Sequence, residues 1–416
     1  MNVLLLTLAY PEGENARNIY TDLMQEFKDR GNNVYVICQR ERRHGKPTEL
    51  KMEKGINVLR IKTGNITKTN IIEKGIATLL LESQFIWAIK KYIGSIKFNL
   101  LIYSTPPITF ERVVKFIKRI SNCKTYLLLK DIFPQNAVDI EMMKKNSLLW
   151  QYFRAKEKRL YAISDYIGCM SKANVEYVLK HNPEIDANKV EVCPNCIKPA
   201  PLLSHNNKDL NMRQKLGIPN DAVVFIYGGN LGRPQGIGFL LEVLDYIKER
   251  DDIFFLIVGS GTEYGRIEQY IKNNKQRNVK IIKSLPKEEY DRLLVCCDVG
   301  LIFLDHRFTI PNFPSRLTAY MESAIPILAA TDVNTDIKDV LYEAECGMWA
   351  ESGDLVNFIK LIDKFAKDAN MRKQMGLNGR KYLEKNYTVS RGYDIITAHF
   401  KVDFGVDKNC LRTNVC

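Results

Sequence analysis

Histidine is scarce, with five residues in 416, and the ten cysteines are scattered. That spacing excludes a disulfide scaffold. The one close pair, Cys193-Pro194-Asn195-Cys196, lacks the second pair that a zinc site requires; Cys296 and Cys297 stand about a hundred residues further on. Free thiols are expected, with a redox pair as the minor alternative. The histidines show no metal-ligand spacing, and Asp251-Asp252 precedes a strand, the wrong side for a metal–diphosphate site. Neither an essential metal nor a cofactor is expected. No uncharged apolar run approaches the ~20 residues that span a bilayer. Met1 leads directly into Val3-Leu4-Leu5-Leu6, without the basic region of a secretory leader. The expectation is a cytoplasmic protein, free or held peripherally on the inner face of the cell membrane.

Positive charge is plentiful but uneven. The net charge is +13, with about +12 in residues 1–200 and about +1 in residues 201–416. A basic first half suits an anionic partner. Nucleic acid is disfavoured, because no recognition motif and no basic strand interleaved with aromatics is present. Anionic lipid fits better. Gly75–Tyr92 and Leu148–Tyr161 mix apolar or aromatic residues with Lys and Arg, and Arg112, Lys115, Lys118, Arg119 and Lys124 add a further basic helix. Such helices can lie on an anionic bilayer.

The hydrophobic pattern alternates short apolar runs with helical periods. Val3 to Leu8 reads as a buried strand, Asn18 to Arg30 as an amphipathic helix and Val34 to Cys38 as the next strand. Further strands are read at 56–61, 100–104, 125–130, 166–171 and 190–192. Helices are read at 75–92, 113–120 and 148–160. Pro199, Pro201 and the polar stretch 204–211 read as an interdomain linker. The pattern then restarts, with strands at 223–227, 254–258, 280–283, 299–304 and 326–329. Helices fall at 237–247 and 287–296, at 371–384 and at 390–401. The fold class is therefore α/β, with two Rossmann-like domains facing across a cleft. Residues 1–200 form the first and 201–385 the second. Residues 386–416 supply a helix that packs back on the first domain and a tail with little pattern from Val402 on.

Three features recur at strand ends in the second half. Gly228-Gly229-Asn230-Leu231-Gly232 follows one strand, and Gly259-Ser260-Gly261 follows the next. Pro314-Ser315-Arg316 opens a later helix, with Ser315 as its N-cap and Arg316 in its first turn. Glycine lets the backbone approach a ligand closely, and free N–H groups beside a guanidinium suit a diphosphate. In the first half Asp131 ends a strand on the cleft side, a position open to a functional carboxylate. Capping a helix is its other reading. Ser104 and Lys172 are further strand-end candidates.

These residues together resemble the family 4 glycosyltransferases of GT-B fold, over about residues 1–400. The matching pieces are Pro11-Glu12-Gly13, Lys130-Asp131-Ile132-Phe133-Pro134-Gln135-Asn136-Ala137, Val192-Cys193-Pro194-Asn195, Gly229–Gly232, Val258–Gly261 and Pro314–Pro326. The chain is most similar to bacterial enzymes of surface-polysaccharide synthesis, of N-acetylfucosamine or N-acetylglucosamine transferase type. The resemblance implies retaining transfer from a nucleotide diphosphate sugar, with uridine as the default base. It implies a glycan or polyprenyl-diphosphate-linked acceptor. Gly13, Glu14 and Asn15 would face the donor phosphates. Gly229, Asn230, Gly232, Arg233, Gly259, Ser260, Gly261, Leu285, Pro314, Ser315, Arg316, Tyr320 and Glu322 would hold the donor. Asp131 and Arg316 would be catalytic.

The chain departs from the family where two Glu are usual, eight apart. Counting back from Pro326, Pro311 and Ala319 stand there. Glu322, one turn beyond Ala319, is expected to reach the same face. The family's Arg and Lys after the first Gly turn correspond to Asn230 and Gln235, which moves the positive charge to Arg316 or Arg233. Two other readings stay open: a nucleotide-sugar 2-epimerase of GT-B fold, and a degenerate GT-B binding scaffold.

Overall fold

The computed structural model describes residues 1–13, 16–67, 69–202 and 210–400. The first domain is built on eight strands: β1 Asn2–Thr7, β2 Asn33–Glu41, β3 Glu49–Glu53, β4 Ile56–Thr63, β5 Leu100–Ser104, β6 Lys124–Leu129, β7 Tyr166–Cys169 and β8 Val190–Val192. Their order is β3-β4-β2-β1-β5-β6-β7-β8, parallel except for β3 against β4. The second domain has six parallel strands: β9 Val223–Asn230, β10 Ile253–Ser260, β11 Val279–Ile282, β12 Val299–Phe303, β13 Ile327–Thr331 and β14 Gly347–Glu351. They run β11-β10-β9-β12-β13-β14. Central strands such as β1, β5, β10 and β12 are apolar and buried on both faces, as helix-covered parallel sheets require. Two Rossmann-like domains result, each with its loops at the C-terminal strand ends facing the other.

The chain crosses between the domains at one place. Ile197 pairs in parallel with Thr388; its N–H donates to the Tyr387 carbonyl (2.9 Å), and its own carbonyl accepts from Val389 N–H (3.0 Å). The helix Val389–Ala398 then returns to the first domain. Tyr393 packs at a tilt against Phe27, with ring centres 4.6 Å apart, and Ile396 and Phe400 enter the core beneath β1 and β2.

Several elements differ from the sequence reading. The strand β3 is an exposed antiparallel edge, and β14 is half-buried; neither shows the apolar alternation that marks a strand. The helices Tyr264–Asn273, Ile337–Glu343 and Leu355–Lys367 were likewise not read. The apolar helix starts at Ile71, because Asn70 caps it by accepting from Glu73 N–H (2.8 Å). Most of the polar linker stretch, like the tail from Val402, lies outside the described residues. Its last part belongs to the helix Leu210–Leu216.

That helix carries a buried charge. Arg213 is 1% exposed; its guanidinium pairs with Asp298 at 3.0 Å and donates to the carbonyls of Asn220, Ala222 and Cys296. Asp298 also accepts from Val224 N–H at 2.9 Å. The pair ties the domain's first helix to the starts of β9 and β12. Removing one partner of such a pair leaves an uncompensated buried charge, at a cost of about 3–5 kcal/mol. Arg213→Ala should lower the urea midpoint of the second domain by that equivalent, with the slope unchanged.

Candidate active site

The two Gly-containing segments of the second domain are held against each other. They are less loop-like than their sequence suggests, because β9 runs to Asn230 and β10 to Ser260, with Gly229 opposite Gly259. Beyond the ladder, Leu231 N–H donates to the Ser260 carbonyl (3.0 Å) and Glu263 N–H to the Leu231 carbonyl (2.9 Å). A Cβ on Gly259 would sit 1.9 Å from the Gly229 carbonyl oxygen, and one on Gly261 would sit 2.1 Å from that of Leu231. These glycines are thus required by packing, whatever is bound. Gly229 has φ +131°, a conformation that favours glycine. The Gln235 side chain locks the turn, accepting from Gly232 N–H (3.0 Å) and Asn230 Nδ2 (3.2 Å). Arg233 is exposed beside it.

Arg316 opens the helix Arg316–Glu322. Its guanidinium lies 4.3 Å from the centre of the Tyr227 ring, and Nη2 stands 3.4 Å from where a Cβ on Gly229 would be. Its Nη1 is buried and has no hydrogen-bond partner. A guanidinium stacked on an aromatic face, with one donor unspent, is poised for an anion. Ser315 stands at the N-cap, but its side chain makes no capping bond; its backbone is already helical, and its carbonyl accepts from Thr318 Oγ1 (2.8 Å).

A cleft of about 550 Å³ runs between the domains. Pro314 and Ser315 line it from one side, Lys130, Asp131, Asn136 and Asn195 from the other. Asp131 Oδ1 accepts from Asn136 Nδ2 at 2.7 Å. Burial raises the Asp131 carboxyl to about 6, despite hydrogen bonds that favour its charged form. Lys130 is pushed down by burial, and its Nζ donates to the Cys193 carbonyl (3.3 Å).

Several residues assigned to the donor site lie elsewhere. Tyr320 is fully buried; its hydroxyl accepts from Gly228 N–H and lies 3.1 Å from the carbonyls of Ile226 and Leu301, so it braces β9 against β12. Glu322 is engaged at the crossing, where its carboxylate accepts from Ala200 N–H (2.8 Å) and lies 3.7 Å from Arg17. Gly13 lines a separate cleft of about 960 Å³ with Arg17 and residues 198–201, while Ile19 and Tyr20 reach the Asp131 cleft. Glu14 and Asn15 lie outside the described residues. Leu285 is half-buried against the second domain's core, next to Ser284, whose hydroxyl donates to Ser260 Oγ (2.9 Å). Ser104 is buried and bonds Thr7, and Lys172 starts the helix Lys172–His181. Cys193 and Cys196 are buried free thiols. Among the described residues, no three His, Cys, Asp or Glu side chains gather as metal ligands.

Sequence reasoning missed Tyr227 and Arg17, and it placed Asn136 and Asn195 in matching segments without giving them a role. Tyr227 hides inside an apolar strand run, and Arg17 reaches the crossing through contacts to Lys198 and Glu322 that are distant in sequence. Pro311, at the first of the missing Glu positions, gives its carbonyl to Asn174 Nδ2 across the domains (2.7 Å).

Residues 208–382 match the family described as "Glycosyl transferases group 1". The chain is similar to the probable glycosyltransferase WbjE of Pseudomonas aeruginosa, 22% identical over 77% of this chain and 78% of that protein. It is also similar to the capsular polysaccharide biosynthesis glycosyltransferase CapM of Staphylococcus aureus, 26% identical over 41% of this chain and 43% of that one. Sucrose-phosphate synthase from Thermosynechococcus elongatus superposes with a TM-score of 0.77 at 15% identity, covering 97% of this chain and 99% of that chain. HepE of Anabaena, in complex with UDP, does so with a TM-score of 0.68 at 14% identity, covering 97% and 100%. The fold is therefore GT-B, and residues 208–382 make up a glycosyl transferases group 1 domain within it.

Proposed function

We propose that the protein transfers a sugar, with retention, from a nucleotide diphosphate donor to a glycan or lipid-linked glycan in surface-polysaccharide synthesis. The carrying observation is Arg316, a guanidinium held on Tyr227 beside Gly229 with Nη1 unpartnered. It stands next to the interdomain cleft that Asp131 lines from the other side. In this reading Arg316 and nearby backbone N–H groups stabilise the leaving diphosphate, and no metal is part of it. Asp131 orients the acceptor hydroxyl or takes its proton. Uridine is the base proposed, supported by the UDP complex of HepE. The relative named for capsular polysaccharide biosynthesis, CapM, supports the pathway class. The 2-epimerase reading has no observation in its favour; the scaffold reading has one, the Pro311 and Ala319 that stand at the two Glu positions.

The acceptor would be met at an anionic membrane. On the helix Ile71–Ile93, Ile72, Ile76, Leu79, Leu80 and Trp87 are exposed, and so are Leu148, Leu149 and Tyr152 at the start of the helix Leu148–Ile163. Lys90, Lys91, Arg112 and Arg119 supply charge nearby in the sequence. The basic surface is smaller than the sequence suggests. Lys156 is buried against Glu82 and Glu111 (3.0 and 3.3 Å), and Lys118 pairs with Asp165. Among the described residues no helix is long and apolar enough to cross a membrane.

Three measurements test this. Calorimetry with UDP, GDP, ADP and dTDP should show one of them, UDP on this reading, binding at micromolar strength. Arg316→Ala should weaken that binding at least tenfold. The rate constant kcat/KM should rise as pH passes about 6 and Asp131 ionises. Asp131→Asn should remove that limb and cost roughly 10²–10⁴ in rate. Flotation with anionic liposomes should carry the protein at low salt and release it at high salt. Absence of binding at low salt would sink the membrane reading.

A further inference from the structure

The interdomain cleft holds more hydrogen-bonding capacity than a diphosphate uses. Three buried carboxamide atoms there have no partner: Oδ1 of Asn136, Oδ1 of Asn195 and Nδ2 of Asn312. They arrive from three different places, the short helix Gln135–Asp139, the segment after β8 and the loop before Arg316. Asn195 is only 7% exposed. Each buried polar atom left unmatched costs about 1–3 kcal/mol, so three converging on one cleft describe a binding surface rather than a packing fault.

The rest of the wall narrows the ligand. Ile19, Phe133, Phe308 and Phe313 are apolar. The lining cation, Lys130, donates to the Cys193 carbonyl. The lining carboxylate is Asp131. Hydroxyl groups both donate and accept, and so satisfy either end of a carboxamide. A ligand carboxylate would meet Asp131 and would have to draw Lys130 away from its carbonyl.

We infer that Asn136, Asn195 and Asn312 bind the hydroxyls of the donor's transferred sugar, and that this sugar is uncharged. The inference rests on the donor-site reading above and adds the substrate class to it. Asn136 also holds Asp131, so its replacement would disturb two things at once; Asn195 and Asn312 are the cleaner probes.

The test is calorimetry on wild type, Asn195→Ala and Asn312→Ala. The ligands are the nucleoside diphosphate that binds wild type and its glucose, N-acetylglucosamine and glucuronate derivatives. Both variants should bind the bare diphosphate within twofold of wild type, which also shows that they are folded. They should bind the best uncharged derivative at least tenfold more weakly than wild type does. Wild type should bind the glucuronate derivative at least tenfold more weakly than that uncharged one. Variants that match wild type on both ligands would overturn the inference and leave the donor site standing. Equal affinity for the charged and uncharged derivatives would overturn it as well. If no nucleoside diphosphate binds wild type, the donor-site reading itself fails and takes this inference with it.

Discussion

The geometry of the cleft depends on how the two crossings of the chain are fastened together. Ile197 leaves the first domain alongside Thr388, which returns to it, and backbone hydrogen bonds join the two segments. Ala200, three residues on, is held at both ends: its N–H by the Glu322 carboxylate and its carbonyl by Arg380. Arg17 adds a third tie, paired with Asp22 in the first domain and 3.7 Å from Glu322 in the second. On the other side of the cleft, Asp139 accepts from Thr309 N–H and Oγ1, both at 2.8 Å. Phe308 and Ile310 sink into the first domain's core. With both margins tied, Asp131 and Ser315 line one cleft.

Within that frame, the second domain prepares a cation before any ligand arrives. A guanidinium removed from water is costly unless something replaces its hydration. Tyr227 does so on one face through its ring, and the missing side chain at Gly229 lets the strand end come close. One donor atom remains unmatched. Because the strands fix the tyrosine and the glycine, the cation is positioned by the sheet itself.

Much of this was legible in the sequence, and the failures have physical causes. Continuous apolar runs marked β1, β9, β10 and β12, because parallel strands are covered on both faces. The edge strands β3 and β14 escaped, since one exposed face dilutes the pattern. Asp131 and Arg316 were identifiable as polar residues at strand and helix ends. Tyr320 and Glu322 were misplaced because helical spacing gives a residue's face without saying what packs there. Tyr320 is bonded beneath the sheet and Glu322 to the crossing. Asn136 and Asn195 stood in matching segments but without a role, because an asparagine's role lies in whether its hydrogen bonds are met, which only the folded chain decides.

The helix Val389–Ala398 has a consequence for how the protein comes into being. Ile396 and Phe400, near the end of the described chain, complete a core whose other members lie between Val3 and Cys193. The first domain is therefore discontinuous. A ribosome finishes its sheet early, yet that sheet keeps an uncovered apolar patch until the whole second domain has been made. Synthesis through Phe400 becomes a condition for completing the core beneath the first strand.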